Sequence, residues 1–213
     1  MSFVPDLPIL LQFALATLVI AITPGPDMTL FVGRALSQGR AAGMACMFGA
    51  MTGVVVHTSM VALGLSALIV ASPEAFLALK IFGAGYLMWL AWQAIRHGSA
   101  FAPDTRRASS RSLARNWATG VGINLLNPKI ILFFMTFLPQ FVSVDDPHAA
   151  GKLFFLGLSF IPLSLPVTIP MVLAADGFSG LLRKSPKITR VIDWMFAGVF
   201  SAFAFRILTA SAK

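Results

Sequence analysis

Six stretches of apolar sequence, each close to the length that crosses a lipid bilayer, constrain this chain more than any other feature. They run roughly Leu7–Phe31, Ala41–Ile69, Phe76–Ile95, Trp117–Phe141, Leu153–Ala175 and Val191–Leu208. A membrane helix needs about 20 mostly apolar residues to traverse a hydrocarbon core about 30 Å thick. Within that core every backbone N–H and C=O must be paired inside the protein, which leaves helices or closed barrels. Barrel strands alternate over segments of about 10 residues, and these runs do not alternate. The sequence therefore predicts an all-α polytopic membrane protein with six transmembrane helices. Composition agrees: 57% of residues are hydrophobic and 11% charged, where soluble domains carry about 25% charge. So little charge cannot cover a water-facing surface, which excludes a soluble enzyme, a disordered chain and a nucleic-acid-binding module. The N-terminal Met1–Asp6 has no Lys or Arg, so it lacks the basic region of a signal peptide, and the first run reads as an uncleaved span.

The net charge is +8, and its placement carries the information. Arg34, Arg40, Arg96, Arg106, Arg107, Arg111, Arg115, Arg183, Lys184, Lys187 and Arg190 fall in the connections after spans one, three and five, whereas the opposite side holds only Lys152 and Lys213. By the positive-inside rule, the basic loops face the cytoplasm and both termini face the periplasm or exterior. Anchoring of topology accounts for the basic loop Arg106–Arg115 without a nucleic-acid partner. Residues 100–115 form a basic cytoplasmic linker between two three-helix halves, residues 1–99 and 116–213, within one membrane domain. Three is odd, so the second half crosses the bilayer in the opposite sense. Such inverted repeats characterise transporters, with interrupted helices meeting at a central site.

Each half opens with an interrupted helix. Span one contains Thr23-Pro24-Gly25-Pro26-Asp27 and span four contains Asn124-Leu125-Leu126-Asn127-Pro128-Lys129. Proline removes a backbone donor and clashes with the preceding turn, and glycine lets the chain leave helical geometry. Because proline suits a first turn, half-helices restart near Pro26 and Pro128, with Asn127 a suitable N-cap for the second. Aligning the two prolines sets Asp27 opposite Lys129. Two inverted N-termini aim positive dipole ends and free N–H groups into one region, a setting for a carboxylate. Pro24, Gly25, Pro26, Asp27, Asn124, Asn127, Pro128 and Lys129 are thus the candidate substrate-binding residues. Asp27 suits a helix N-terminus. Lys129 does not, and needs a partner, either Asp27 or a substrate carboxylate. Intramembrane ionisable residues are functional candidates by default, and an Asp27–Lys129 ion pair locking the halves is the structural alternative.

Other positions carry weaker signals. His57 lies on the stripe Gly49, Gly53, His57, whose spacing of four favours close helix packing within or between chains. It is a candidate for proton coupling together with Asp27, or a packing histidine. Lys80 and Arg206 are near enough to the outer surface to snorkel. Asp176 ends span five and pairs most simply with Arg183. Pro162, Pro166 and Pro170 recur on one face of span five and mark a bendable helix. Trp89, Trp92 and Trp194 look like interface anchors. The single Cys46 excludes a disulfide framework. No nucleotide-binding loop, His-Glu-x-x-His, paired-carboxylate motif or nucleophile elbow occurs, so neither an enzyme nor a cofactor is expected. A metal or other cation exporter is the alternative function, but spans offer it only Asp27, His57 and Asp176 as ligands.

Along essentially its whole length the chain resembles the LysE/RhtB family of bacterial amino-acid exporters. The resemblance rests on Thr23–Asp27, on Gly43, Gly49, Gly53 and His57, and on Lys80-Ile81-Phe82-Gly83-Ala84-Gly85-Tyr86-Leu87-Met88-Trp89-Leu90. It extends through Asn124–Lys129, Phe133-Phe134 and Leu138-Pro139-Gln140-Phe141. It implies six spans in the bacterial inner membrane and proton-driven export of amino acids or close derivatives, with the substrate and protons as partners. Span five, with its three prolines, departs most from the family pattern.

Overall fold

The computed structural model describes residues 3–97, 112–143 and 146–210. Every regular element among them is helical. The first run divides, as its prolines require, into α1 (Leu7–Ile22) and α2 (Pro26–Gln38); α3 (Arg40–Ala71) and α4 (Pro73–His97) follow. Beyond residue 112 come α5 (Leu113–Leu125), a short α6 (Pro128–Leu132) that continues as a π-helical turn over Phe133–Phe137 and a 3-10 turn over Leu138–Phe141, then α7 (Ala149–Leu173), α8 (Ala175–Lys184) and α9 (Pro186–Ala210). The two restarts fall at Pro26 and Pro128. The breaks bend their helices by nearly equal angles, 51° between α1 and α2 and 52° between α5 and the segment beginning at Pro128.

Three straight segments are long and apolar enough to cross a membrane, Arg40–Gly64, Ala149–Leu173 and Lys187–Phe205, and the two bent pairs raise the number to five. The remaining expected span, Phe76–Ile95, falls within α4, whose 25 residues extend about 37 Å at 1.5 Å per residue. Several of its side chains, Lys80 among them, lie outside the described residues, as do the side chains of Arg183, Lys184 and Arg206 and the whole of the linker stretch 98–111 and Lys213. Lys152, expected in a loop, sits in the first turn of α7, where its ammonium meets Asp146 Oδ2 at 2.6 Å. That carboxylate also accepts from the His148 N–H at 2.9 Å. Partial burial opposes the charge on Asp146, but these two donors outweigh it and hold the carboxyl below its ordinary range.

The contacts between helices pair up across the halves. α5 packs on α3 as α1 packs on α7, α2 touches α7, and α3 meets both α7 and the π-helical turn, while α4 lies against α9. Two hydrophobic clusters result. One is aromatic, built on Phe13, Phe133, Phe134, Phe137 and Phe200, each at most 1% exposed. The other, toward the end of the bundle bearing Arg34, Arg40 and Arg115, is rich in methionine: Met28, Met47, Met51 and Met171 beside Cys46. Outward, α1 exposes Leu7, Leu11, Leu15 and Leu18 in a line. An apolar stripe of that extent is unfavourable in water and ordinary against lipid. Trp89, Trp92 and Trp194 are exposed as well, and the Arg96 guanidinium stacks over Trp92 at 4.8 Å.

Glycine sets the closest approach. Gly39, at φ 92°, turns the chain between α2 and α3 in a conformation that side chains disfavour. Along α3, a Cβ at Gly49 would run into the Trp117 carbonyl of α5, and one at Gly120 of α5 into the Cys46 carbonyl of α3. Backbones meeting this closely supply the dispersion and weak C–H···O contacts that hold membrane helices together. We predict that Gly49→Ala lowers the melting temperature of the detergent-purified protein sharply, since overpacking costs about 1–3 kcal/mol. Gly64→Ala, where no atom lies within 4 Å, leaves it unchanged.

Candidate functional site

A proline deprives one particular carbonyl of its partner, the one four residues earlier. In span one Pro24 orphans Ile20 O. In span four Pro128 orphans Asn124 O. In the lipid interior an unmet carbonyl is expensive, so each needs another donor: Ile20 O finds it in the opposite half, and Asn124 O is shared between its own break and a side chain of the opposite half. The Lys129 ammonium donates to Thr23 O at 2.7 Å and to Ile20 O at 3.1 Å. The His57 Nε2–H lies 3.3 Å from Asn124 O, with the ring stacked on Phe134 at 5.8 Å between centroids. The Asn127 N–H also reaches Asn124 O, at 3.1 Å.

This arrangement resolves the apparent misplacement of Lys129. Its side chain, like all helical side chains, leans toward the N-terminus of its own helix, and from the first turn of α6 it overshoots the helix start. Its charge then rests at the C-terminal end of α1, where a cation is favoured by about 0.3–1 kcal/mol, and up to about 2 kcal/mol when partly buried. The sequence offered two partners, Asp27 or a substrate carboxylate. The structure supplies a third, the broken end of α1, and Asp27 and Lys129 form no ion pair within 4.0 Å. Gly25 makes the reach feasible, because a Cβ there would stand 3.0 Å from Lys129 Nζ. Asn127 anchors the root of the side chain: its Oδ1 accepts from the Lys129 N–H at 3.1 Å, the expected N-cap.

Asp27, in the first turn of α2, accepts from Asn124 Nδ2 at 2.7 Å through Oδ2. Gly53 gives Asn124 its space, since a Cβ on α3 would collide with Asn124 Oδ1. Three polar atoms around the breaks are buried without a hydrogen-bond partner: Asp27 Oδ1, Asn124 Oδ1 and Asn127 Nδ2. A buried unsatisfied group costs about 1–3 kcal/mol, and charged groups cost more. All three sit where the two helices are broken.

A half-open cleft lies here, at the junction of the aromatic and methionine clusters. Asp27, Asn124 and Lys129 line it with Ser164 and Thr168 of α7, and its apolar wall includes Met28, Met51, Met171 and Phe160. Of the sequence candidates, Asp27, Asn124 and Lys129 reach the cleft. Pro24, Gly25, Pro26, Asn127 and Pro128 shape the breaks from behind, and His57 stands behind Asn124. Ser164 and Thr168 were not among the candidates. They occupy the face of α7 opposite Pro162, Pro166 and Pro170, all three of which are exposed. Their hydroxyls donate to Ile161 O at 3.0 Å and Ser164 O at 3.1 Å, which leaves oxygen lone pairs toward the cleft. Asp176 is exposed in the first turn of α8, away from the cleft. Among the described residues no three His, Cys, Asp or Glu side chains gather as a metal site would require.

An all-helical membrane protein with two broken helices meeting at a polar cleft has the architecture of a small-molecule transporter. The chain belongs to the LysE type translocator family, whose sequence profile matches residues 18–211, and proteins of this family are transporters rather than enzymes. It is 29% identical over 201 residues to a homoserine/homoserine lactone efflux protein of Salmonella typhimurium, covering 94% of this chain and 95% of that protein. It is also 29% identical over 209 residues to an uncharacterised membrane protein of Vibrio cholerae, with 97% of this chain and 100% of the other covered. A membrane protein of Pseudomonas aeruginosa is 31% identical over 213 residues, covering 93% and 94% of the two chains. No solved structure matches.

Access to the cleft is measurable. In a Cys46→Ala background, Ala21→Cys, which lines the cleft and is partly exposed, should react with methanethiosulfonate ethylammonium. Ala16→Cys, fully buried on the same helix, should not. Equal labelling of both, read by mass spectrometry, contradicts the cleft.

Proposed function

We propose that this protein is a secondary exporter of amino acids or close derivatives, driven by proton antiport across the bacterial inner membrane. The observation that carries the reading is the convergence of Asp27, Asn124 and Lys129, from both breaks, on one cleft. An amino acid presents an ammonium and a carboxylate a few ångströms apart. Asp27 Oδ1, buried and unpaired, suits the ammonium. Lys129 has three N–H donors, of which two reach the α1 carbonyls, so the third is available to the carboxylate. The remainder of the cleft, with Met28, Met51 and Met171, takes the substrate side chain. The relative named for homoserine and homoserine lactone efflux supports this class of substrate.

Antiport follows if Asp27 meets the substrate ammonium and a proton in turn, with His57 beside it through Asn124. A single carboxylate that must be neutralised by one or the other before the halves rearrange exchanges the two across the membrane. We read the halves as inverted three-helix repeats, six spans in all. The matched bends of 51° and 52° and the paired contacts across the halves support this reading. The basic end then lies in the cytoplasm with both termini outside. The cleft extends toward that end along Phe31 and Met171, and the aromatic cluster seals the opposite side, as suits a substrate loaded from the cytoplasm.

The test is transport in proteoliposomes with an imposed proton gradient. One charge moving through 100 mV is worth about 2.3 kcal/mol, enough for a roughly 50-fold concentration ratio at about 1.4 kcal/mol per tenfold. Asp27→Asn should reduce gradient-driven accumulation of homoserine or its lactone to equilibration alone. Undiminished accumulation in that variant removes the proton role of Asp27. Absence of amino-acid movement in the wild-type protein removes the exporter reading.

A further inference from the structure

We propose that the broken end of α1 is a monovalent-cation seat, and that the Lys129 ammonium fills it as a tethered ion. The carbonyls of an interrupted membrane helix gather at the negative end of its dipole, and transporters built this way hold free coupling ions on such ends. Here Ile20 O and Thr23 O have the same character. Pro24 leaves Ile20 O without its helical donor, and the chain turns extended at Thr23 and Gly25. What rests on them is not another N–H of the same helix but a charged nitrogen from the opposite half, at 3.1 and 2.7 Å.

Two further features keep the seat for that nitrogen. Gly25 leaves the space next to it open, where any Cβ would press to 3.0 Å from Nζ and 3.3 Å from Cε. Asn127 fixes the backbone from which the side chain departs. A cation that belongs to the chain cannot dissociate. The seat is therefore never emptied to either side of the membrane, and it does not contribute a free ion to the transport cycle. The protein consequently works without sodium, and the ammonium joins the halves where a loose ion would exchange. Removing the side chain while leaving the carbonyls should expose the seat to small cations from solution.

The experiment compares the melting temperature of detergent-purified full-length protein in sodium, methylammonium and choline chloride at equal ionic strength. Lys129→Ala should be stabilised by sodium or methylammonium over choline by about 3 °C, the shift expected when a ligand well above its dissociation constant binds a protein of this size. The wild type should be indifferent to the cation, and so should Lys129→Met, whose uncharged chain still fills the passage. In proteoliposomes the same cations should restore part of the transport lost by Lys129→Ala. Cation-indifferent melting of Lys129→Ala, or sodium-stimulated transport by the wild type, overturns the proposal. Should Lys129→Ala not survive purification, the comparison is made in membrane vesicles, where sodium or methylammonium should raise its transport about twofold over choline; cation-indifferent transport there overturns the proposal. The proposal rests on the exporter reading only in its transport measurements. If the wild type moves no amino acid, that reading fails while the melting comparison still decides this one.

Discussion

The unpaired carbonyl is the constraint from which the centre of this protein follows. A helix interrupted by proline in water surrenders one carbonyl to solvent at little cost. The same interruption within a bilayer leaves a group that nothing in the lipid can satisfy. This chain makes two such interruptions and meets each with a nitrogen from the other half, Lys129 for the first and His57 for the second. The breaks are therefore polar junctions between the halves, added to the packing of α3 on α5 and of α4 on α9. The residues that join them also surround the cleft, so a change in what the cleft holds acts directly on the contact between halves.

The surroundings fit that division. α3 lies almost backbone to backbone against α5 through Gly49 and Gly120, a packing with little tolerance for sliding. The aromatic cluster on one side of the cleft interlocks nine of the described phenylalanines in ring contacts, with Phe133 touching Phe13, Phe134, Phe137, Phe160 and Phe200, Phe137 meeting Phe141 and Phe203, and Phe196 meeting Phe200. On the other side flexible methionines prevail, side chains that fill irregular space and adapt to different neighbours. Phe133–Phe137 is a π-helical turn, and such turns concentrate at functional sites because they are strained relative to the α-helix. The stiff side of the cleft thus includes a segment that α-helical geometry does not fully stabilise.

Much of this was legible in the sequence because its determinants are local. Proline, glycine and asparagine fix the restarts at Pro26 and Pro128 and the cap at Asn127 through interactions spanning only a few residues. Even the identity of the orphaned carbonyls is set by counting four residues back from Pro24 and Pro128. The choice of donor was not legible. Lys129 reaches Ile20 and Thr23 across more than a hundred residues of sequence, and no periodicity records a side chain that leaves its own helix at the wrong end for its charge. Ser164 and Thr168 escaped notice for another reason: small hydroxyls in a proline-rich apolar run resemble ordinary helix-satisfying residues. Their signal was the half-turn offset from Pro162, Pro166 and Pro170. The position of Lys152 moved from loop to helix because α7 begins at Ala149, ahead of the apolar run, after a turn in which Asp146 accepts from the His148 N–H.

That half-turn offset on α7 separates two jobs on one rod. The prolines occupy the exposed side, where each removes a backbone N–H from the helix. Ser164 and Thr168 occupy the inner side, where they touch the cleft. A substitution on the inner face alters the lining of the cleft without touching the prolines, and one on the outer face alters the backbone pairing of the helix without touching the lining. In a gene that duplicates, the two properties are free to drift separately, so copies of this chain can acquire different cleft linings on an unchanged helix.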